Sequence, residues 1–144
     1  MAFRGTFDYT LDAKNRLTVP AKFRASLSDG VVLAKGIEPC VALWPPAAYD
    51  AYTQSALQGM HPVSVEAQKL KRFFAANAHD TELDSAGRVM LPGFLLDHGG
   101  LGKEVVVTGA DDRHEVWDRG RWAGYNTALA DDVAGITAAL GHAG

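Results

Sequence analysis

One decapeptide occurs twice in this chain. Leu11-Asp12-Ala13-Lys14-Asn15-Arg16-Leu17-Thr18-Val19-Pro20 returns at an offset of 72 as Leu83-Asp84-Ser85-Ala86-Gly87-Arg88-Val89-Met90-Leu91-Pro92. The shared pattern is L-D-x-x-x-R-[LV]-x-[LV]-P. Downstream, Trp44, Tyr49 and Tyr52 are echoed at an offset of 73 by Trp117, Trp122 and Tyr125, so one residue is inserted between. A shared decamer followed by aromatics in the same order makes the chain two copies of one unit. A unit of some 40 residues is too small to bury a core alone. The copies must pack on one another, or on other subunits.

The local pattern is the same in both copies. Phe7 to Leu11 alternates apolar and polar residues, as a short strand does. Asp12 to Arg16 and Asp84 to Arg88 are turns, in which an Asp side chain can accept from backbone N–H groups. Asn15 and Gly87 share a position, and these are the residue types that tolerate the left-handed conformation. Leu17–Val19 and Val89–Leu91 read as strands ended by Pro20 and Pro92. Residues 30–35 and 104–108 are β-branched buried strands, returned by 40–44 and 114–117. Pro45-Pro46 opens a helix with Tyr49, Tyr52, Ala56 and Met60 on one face. Ser64 caps a second helix to about Asn77, with Leu70, Phe73, Phe74 and Asn77 as its stripe. Trp122, Tyr125, Leu129, Val133, Ile136 and Leu140 keep helical spacing through Gly124 and Gly135. Residues 142–144 read as a frayed end.

Composition excludes several classes. The chain has 144 residues, 47% hydrophobic and 22% charged, which is globular rather than disordered. Its single cysteine, Cys40, allows no internal disulfide and no cysteine metal cluster. Residues 1–8 hold no apolar core of signal-peptide length, and no apolar run approaches the roughly 20 residues of a membrane helix. The expectation is a soluble cytoplasmic protein. His61, His79, His98, His114 and His142 lack the spacing of a helical zinc site. Cys40 reads as a small core residue rather than a nucleophile. Gly99-Gly100-Leu101-Gly102 precedes a strand, not a helix, and so fails as a phosphate loop. Asp111-Asp112 and Asp131-Asp132 read as solvated pairs. Enzyme, metal, cofactor and small-molecule readings all find nothing to stand on.

Charge is unevenly spread. Net charge is −3 overall. Residues 1–36 hold Arg4, Lys14, Arg16, Lys22, Arg24 and Lys35 against three acids, +3, while 37–102 and 103–144 are each −3. The first repeat is therefore the candidate polyanion-facing half, provided these charges share a face.

These residues resemble the MraZ family of bacterial transcriptional regulators, in the AbrB-like, swapped-hairpin barrel group. The likeness spans essentially the whole chain: Phe3-Arg4-Gly5, the two D-x-x-x-R motifs, Val19-Pro20-Ala21-Lys22-Phe23-Arg24, the strand-ending Trp44 and Trp117, and the helix between the repeats. It departs at Asn15, where the family usually has Gly. The resemblance implies an α+β, mainly β fold: two tandem AbrB-like β-barrel half-units about a pseudo-two-fold, at residues 5–47 and 78–120. A helical segment at 48–77 would join them, and a C-terminal helix and tail would fill 121–144. It further implies a ring homo-oligomer that binds short direct repeats in double-stranded DNA. The target would be the promoter of the division and cell-wall gene cluster, which includes its own gene. The implied role is a nucleoid-associated repressor with no enzymatic activity.

On that basis Arg16 is the foremost DNA contact, since an Arg fork can hold a phosphate or the O6 and N7 of guanine. A turn salt bridge to Asp12 is the competing use, and the two are compatible. Lys14 reads as a phosphate contact, with Arg4, Lys22 and Arg24 behind it. Asp12, Asn15 and Gly87 read as structural turn residues, and Asp84 and Arg88 join them because Lys14 becomes Ala86 in the second copy. Lys69, Lys71 and Arg72 read as a solvated helix face. A protein-interaction module, such as an antitoxin-like scaffold using the acidic residues after 103, is the alternative.

Overall fold

Neither repeat completes its own sheet. The computed structural model describes residues 2–143. The first repeat supplies β1 (Thr6–Thr10), β2 (Arg16–Thr18), β3 (Val31–Lys35) and β4 (Val41–Trp44). The second supplies β5 (Ala78–Thr81), β6 (Arg88–Met90), β7 (Glu104–Gly109) and β8 (His114–Asp118). They form one antiparallel six-stranded sheet, ordered β1-β7-β8-β4-β3-β5, and a separate β2–β6 ribbon. The first strand of each repeat thus pairs with the hairpin of the other.

The register is symmetric. Phe7 faces Val107, and the repeat-related His79 faces Leu33. Leu17 pairs with Val89 at the centre of the ribbon, and Ala42 with Glu115 at the centre of the sheet. The pairings also refine the offset. Leu33 and Val107 are equivalent at 74 residues' separation, while Trp44 and Trp117 are 73 apart. Two residues are therefore added before β7 and one is lost from the following hairpin loop.

The class is α+β as expected, but the expected barrels are not closed. β1 and β5 are the two edges of an open sheet. The ribbon strands have three residues each and stop just short of Pro20 and Pro92. Proline has no N–H to extend a ladder toward the sheet edges. The main core lies between ribbon and sheet: Leu17, Val19, Leu33, Leu43, Val89, Leu91, Val107 and Val116 are among its buried members. Alternate residues of β3, Val32 and Ala34, face the other side, where Trp44, Tyr49 and Phe74 bury them. Both faces are covered, which is why β3 and β7 read as unbroken apolar runs.

Helices α1 (Pro46–Leu57) and α2 (Val65–Ala76) make that outer cover. The Ser64 side chain accepts from the Ala67 N–H, as its cap position requires. Helix α1 ends at Leu57, so Met60 does not share its face. Helix α3 (Gly93–Gly99) lies where no helix was expected, between Pro92 and the left-handed Gly100. The first repeat has only two 3-10 turns there, Ala21–Phe23 and Ala25–Leu27. Helix α4 (Arg119–Ala143) runs through both glycines. Trp122 and Tyr125 pack at Trp117, but Val133, Ile136 and Leu140 are exposed. The backbone stays helical through His142 and Ala143, where fraying was expected, and Gly144 lies outside the described residues. No described helix is long and apolar enough to cross a membrane.

One core position is polar. His114, equivalent to Val41, is fully buried between the edges of Phe3 and Phe23, each 4.6 Å away. Neither ring nitrogen has a hydrogen-bond partner among the described residues. Burial, with the nearby positive charge of Lys22, pulls its pKa from 6.5 down to about 4. The unfolded chain therefore binds the proton first. His114 contributes full stability above its unfolded pKa, and loses it as pH falls toward the folded one. Urea titrations should show stability falling by roughly 1 kcal/mol between pH 7.5 and pH 5.5 on this account. His114→Leu should remove most of that pH dependence. An unchanged slope in the variant would refute the assignment.

Candidate nucleic-acid interface

The two D-x-x-x-R segments fold into the same turn. In the first, Asp12 Oδ1 accepts from the N–H groups of Lys14 and Arg16, both at 2.9 Å. Asp12 Oδ2 accepts from Arg16 Nε at 2.6 Å. The backbone closes with Asn15 N–H on the Asp12 carbonyl at 3.0 Å. In the second, Asp84 Oδ1 accepts from Ala86 and Arg88, and Oδ2 from Arg88 Nε, all at 2.9 Å. Asn15 has φ 58° and Gly87 φ 75°, the left-handed conformation that their residue types implied. The Asn departure therefore leaves the turn intact.

The turns are also tied across the repeats. Val19 N–H donates to the Gly87 carbonyl and Leu91 N–H to the Asn15 carbonyl, each at 2.9 Å. These bonds extend the β2–β6 ladder at its two ends, so one turn sits at either end of the ribbon. Each left-handed residue thus accepts from the strand of the other copy.

Arg16 makes the turn salt bridge weighed for it. Its Nε is held by Asp12, while its terminal nitrogens carry no hydrogen bond among the described residues. The carboxylate sets the direction of a fork whose outer N–H groups remain available. Lys14 is exposed at the tip of the same turn. The other candidates are dispersed. Arg24 donates from Nε to the Val19 carbonyl at 3.1 Å and lies against Gly87 of the second turn. A Cβ on Gly87 would push against Arg24 Nε, Cζ and Cδ, so that side chain would have to swing aside. Lys22 stands over the rings of Phe7 and Phe23, at 5.3 and 5.0 Å. Arg4 is exposed at the opposite end of β1 from the first turn, a strand length of about 17 Å away.

Lys103 was missed in the sequence. Its Nζ donates to the Asp12 carbonyl at 3.0 Å and to Asn15 Oδ1 at 2.6 Å. Only the β1–β7 pairing brings it there, and no local pattern around residue 103 signals it. Elsewhere, Cys40 is buried, and burial raises its thiol pKa well above the ordinary range. Phe74 is core, with Tyr49 Oη donating to its carbonyl, while Lys69, Lys71 and Arg72 are exposed on α2.

Hydrogen bonds hold the Asp12 carboxyl at a pKa of about 2, first from the Arg16 backbone N–H, then from its side chain and the Lys14 N–H. Asp84 is lowered by the matching set, led by the Arg88 N–H. A depressed carboxyl stabilises the turn above the ordinary carboxylate pKa and ceases to as pH falls through about 2. Carboxyl-detected NMR should find that midpoint. Arg16→Ala should raise it but leave it below the ordinary value of about 4, because the backbone donors remain. A wild-type midpoint near 4 would contradict this geometry.

With the twin turns in view, known proteins can be compared. The chain matches the family described as "MraZ protein, putative antitoxin-like" in two stretches, residues 2–72 and 74–138. It is 41% identical over 135 residues to the transcriptional regulator MraZ of Cutibacterium acnes, covering 92% of each chain. It is 40% identical over 134 residues to that of Salinispora arenicola, covering 93% of this chain and 94% of the relative. The same-named protein of Limosilactobacillus fermentum is 36% identical over 136 residues, with 94% of each chain covered. With a family match that spans both repeats and relatives aligned nearly end to end, this chain belongs to the MraZ family.

Proposed function

We propose that this protein is a DNA-binding transcriptional regulator that uses its first D-x-x-x-R turn to contact DNA. One observation carries the reading. Asp12 orients the Arg16 guanidinium while leaving its outer N–H groups without a partner among the described residues, beside the exposed Lys14. The second turn holds Arg88 the same way, but has Ala86 where the first has Lys14. The transcriptional role comes from the names of the relatives. The protein acts in the cytoplasm, on the nucleoid. Its sites are short direct repeats in the promoter of the division and cell-wall gene cluster, its own gene included, and the effect is repression. Several copies assemble as a ring, so that contacts too weak singly add up over repeated sites.

The test is anisotropy titration of a promoter fragment carrying direct repeats against a scrambled fragment. Wild type should bind the repeats tightly and with strong salt dependence. Arg16→Ala should weaken binding roughly ten- to a hundredfold, the span of about 1–3 kcal/mol for a lost Arg–base contact. Its assembly size by light scattering should be unchanged. Wild-type affinity in Arg16→Ala would refute the site.

The exposed distal half of α4 supports a second reading, a protein-interaction module. It presents Val133, Ile136 and Leu140 with Asp131 and Asp132 and no basic residue. Co-purification of a stoichiometric protein partner, together with no salt-dependent DNA binding, would favour it.

A further inference from the structure

The two turns are alike in backbone and unlike in what approaches them. Beside Asn15 stands Lys103 from the second repeat. The register that equates Leu33 with Val107 equates Lys103 with Asp29, an exposed acid of the first repeat. The turn that this acid would approach has Gly87, with no side chain to receive a donor. The second turn also borders Glu82, Asp84 and Arg24, so its charges largely cancel. The first turn gathers Lys14, Arg16 and Lys103 against Asp12, with neighbouring Glu104 paired to Arg119.

We propose that Lys103 is a phosphate-contacting member of the first turn, supplied across the repeat boundary. This rests on the DNA-binding reading above. A lysine ammonium has three N–H donors. Two are spent, on the Asp12 carbonyl and on Asn15 Oδ1. They fix the head group against the turn, and the third donor has no internal partner among the described residues. The side chain is exposed, and the acids around it are engaged. Asp12 is held by Arg16, neighbouring Glu104 lies 3.7 Å from Arg119, and Asp118 accepts from the Gly102 N–H. A positive charge held in place and still short of one acceptor suits a phosphate oxygen. Asn15 then has a second role besides its left-handed backbone, since its side-chain oxygen positions that charge.

The salt dependence of binding reads phosphate contacts directly. Lys103→Met should flatten the plot of log affinity against log salt by roughly 0.9 per DNA-bound subunit. Its affinity deficit should be roughly tenfold at 0.1 M salt and vanish toward 1 M. Lys103→Arg should keep the wild-type slope, and Lys103→Gln, which loses the charge but keeps N–H donors for the turn, should lose it and serves as the test if Lys103→Met melts early. An unchanged slope in Lys103→Met, or a slope lost equally in Lys103→Arg, would overturn the assignment and leave Lys103 a turn brace. Wild-type protein without salt-dependent binding to the repeats would instead overturn the DNA reading on which this rests.

Discussion

The pairing of β1 with β7 is the constraint on which the rest depends. It joins residues nearly a hundred positions apart, and with its twin, β3 with β5, it makes one core out of two units that could not each hold one. It also decides what stands next to the first turn. The last β1 residue, Thr10, faces Glu104, so the turn that follows lies against Lys103. The segment proposed to contact DNA is therefore built by both repeats, although its motif belongs to one.

Duplication gave the protein two equal turns, and substitution made them unequal. Both keep the Asp–Arg clamp and the left-handed residue, because these hold the ribbon ends together. Around that frame, charge has diverged. Lys14 corresponds to Ala86 across the pseudo-symmetry, and Lys103 to Asp29. The protein as a whole stays acidic at −3, yet one turn carries a local excess of positive charge. An acidic chain is thereby compatible with the proposed polyanionic partner, since affinity depends on the local field rather than the sum. His114 is the opposite case, a divergence inside the core that costs stability at low pH and has no counterpart at Val41.

The parts legible in the sequence were those written in short-range chemistry. The turns were readable because Asp, Asn and Gly each have a local reason to be there, and Arg16 because its partner is four residues away. Strand β5, Ala78-His79-Asp80-Thr81, has no apolar alternation to mark it, but the other seven of the eight described strands were readable from their patterns, and the helix cap from Ser64. Strand exchange was not, since a buried β3 looks the same whichever first strand lies beside it. The open sheet was missed because nothing local says whether β2 and β6 reach the edges. Helix α3 was missed because seven residues give too little periodicity, although Pro92 and Gly100 bracket it. Lys103 could not have been found: its contact to Asn15 spans 88 residues and depends on a pairing set elsewhere.

The central claim is that the first turn, and not its structural twin, faces DNA. A photo-crosslinker on a cysteine placed at Lys14 or at Ala86 tests it, because the native Cys40 is buried and burial raises its thiol pKa. On a direct-repeat duplex, the account predicts crosslinks from position 14 and none above background from position 86. Equal yields from both positions, or crosslinks from position 86 alone, would contradict it.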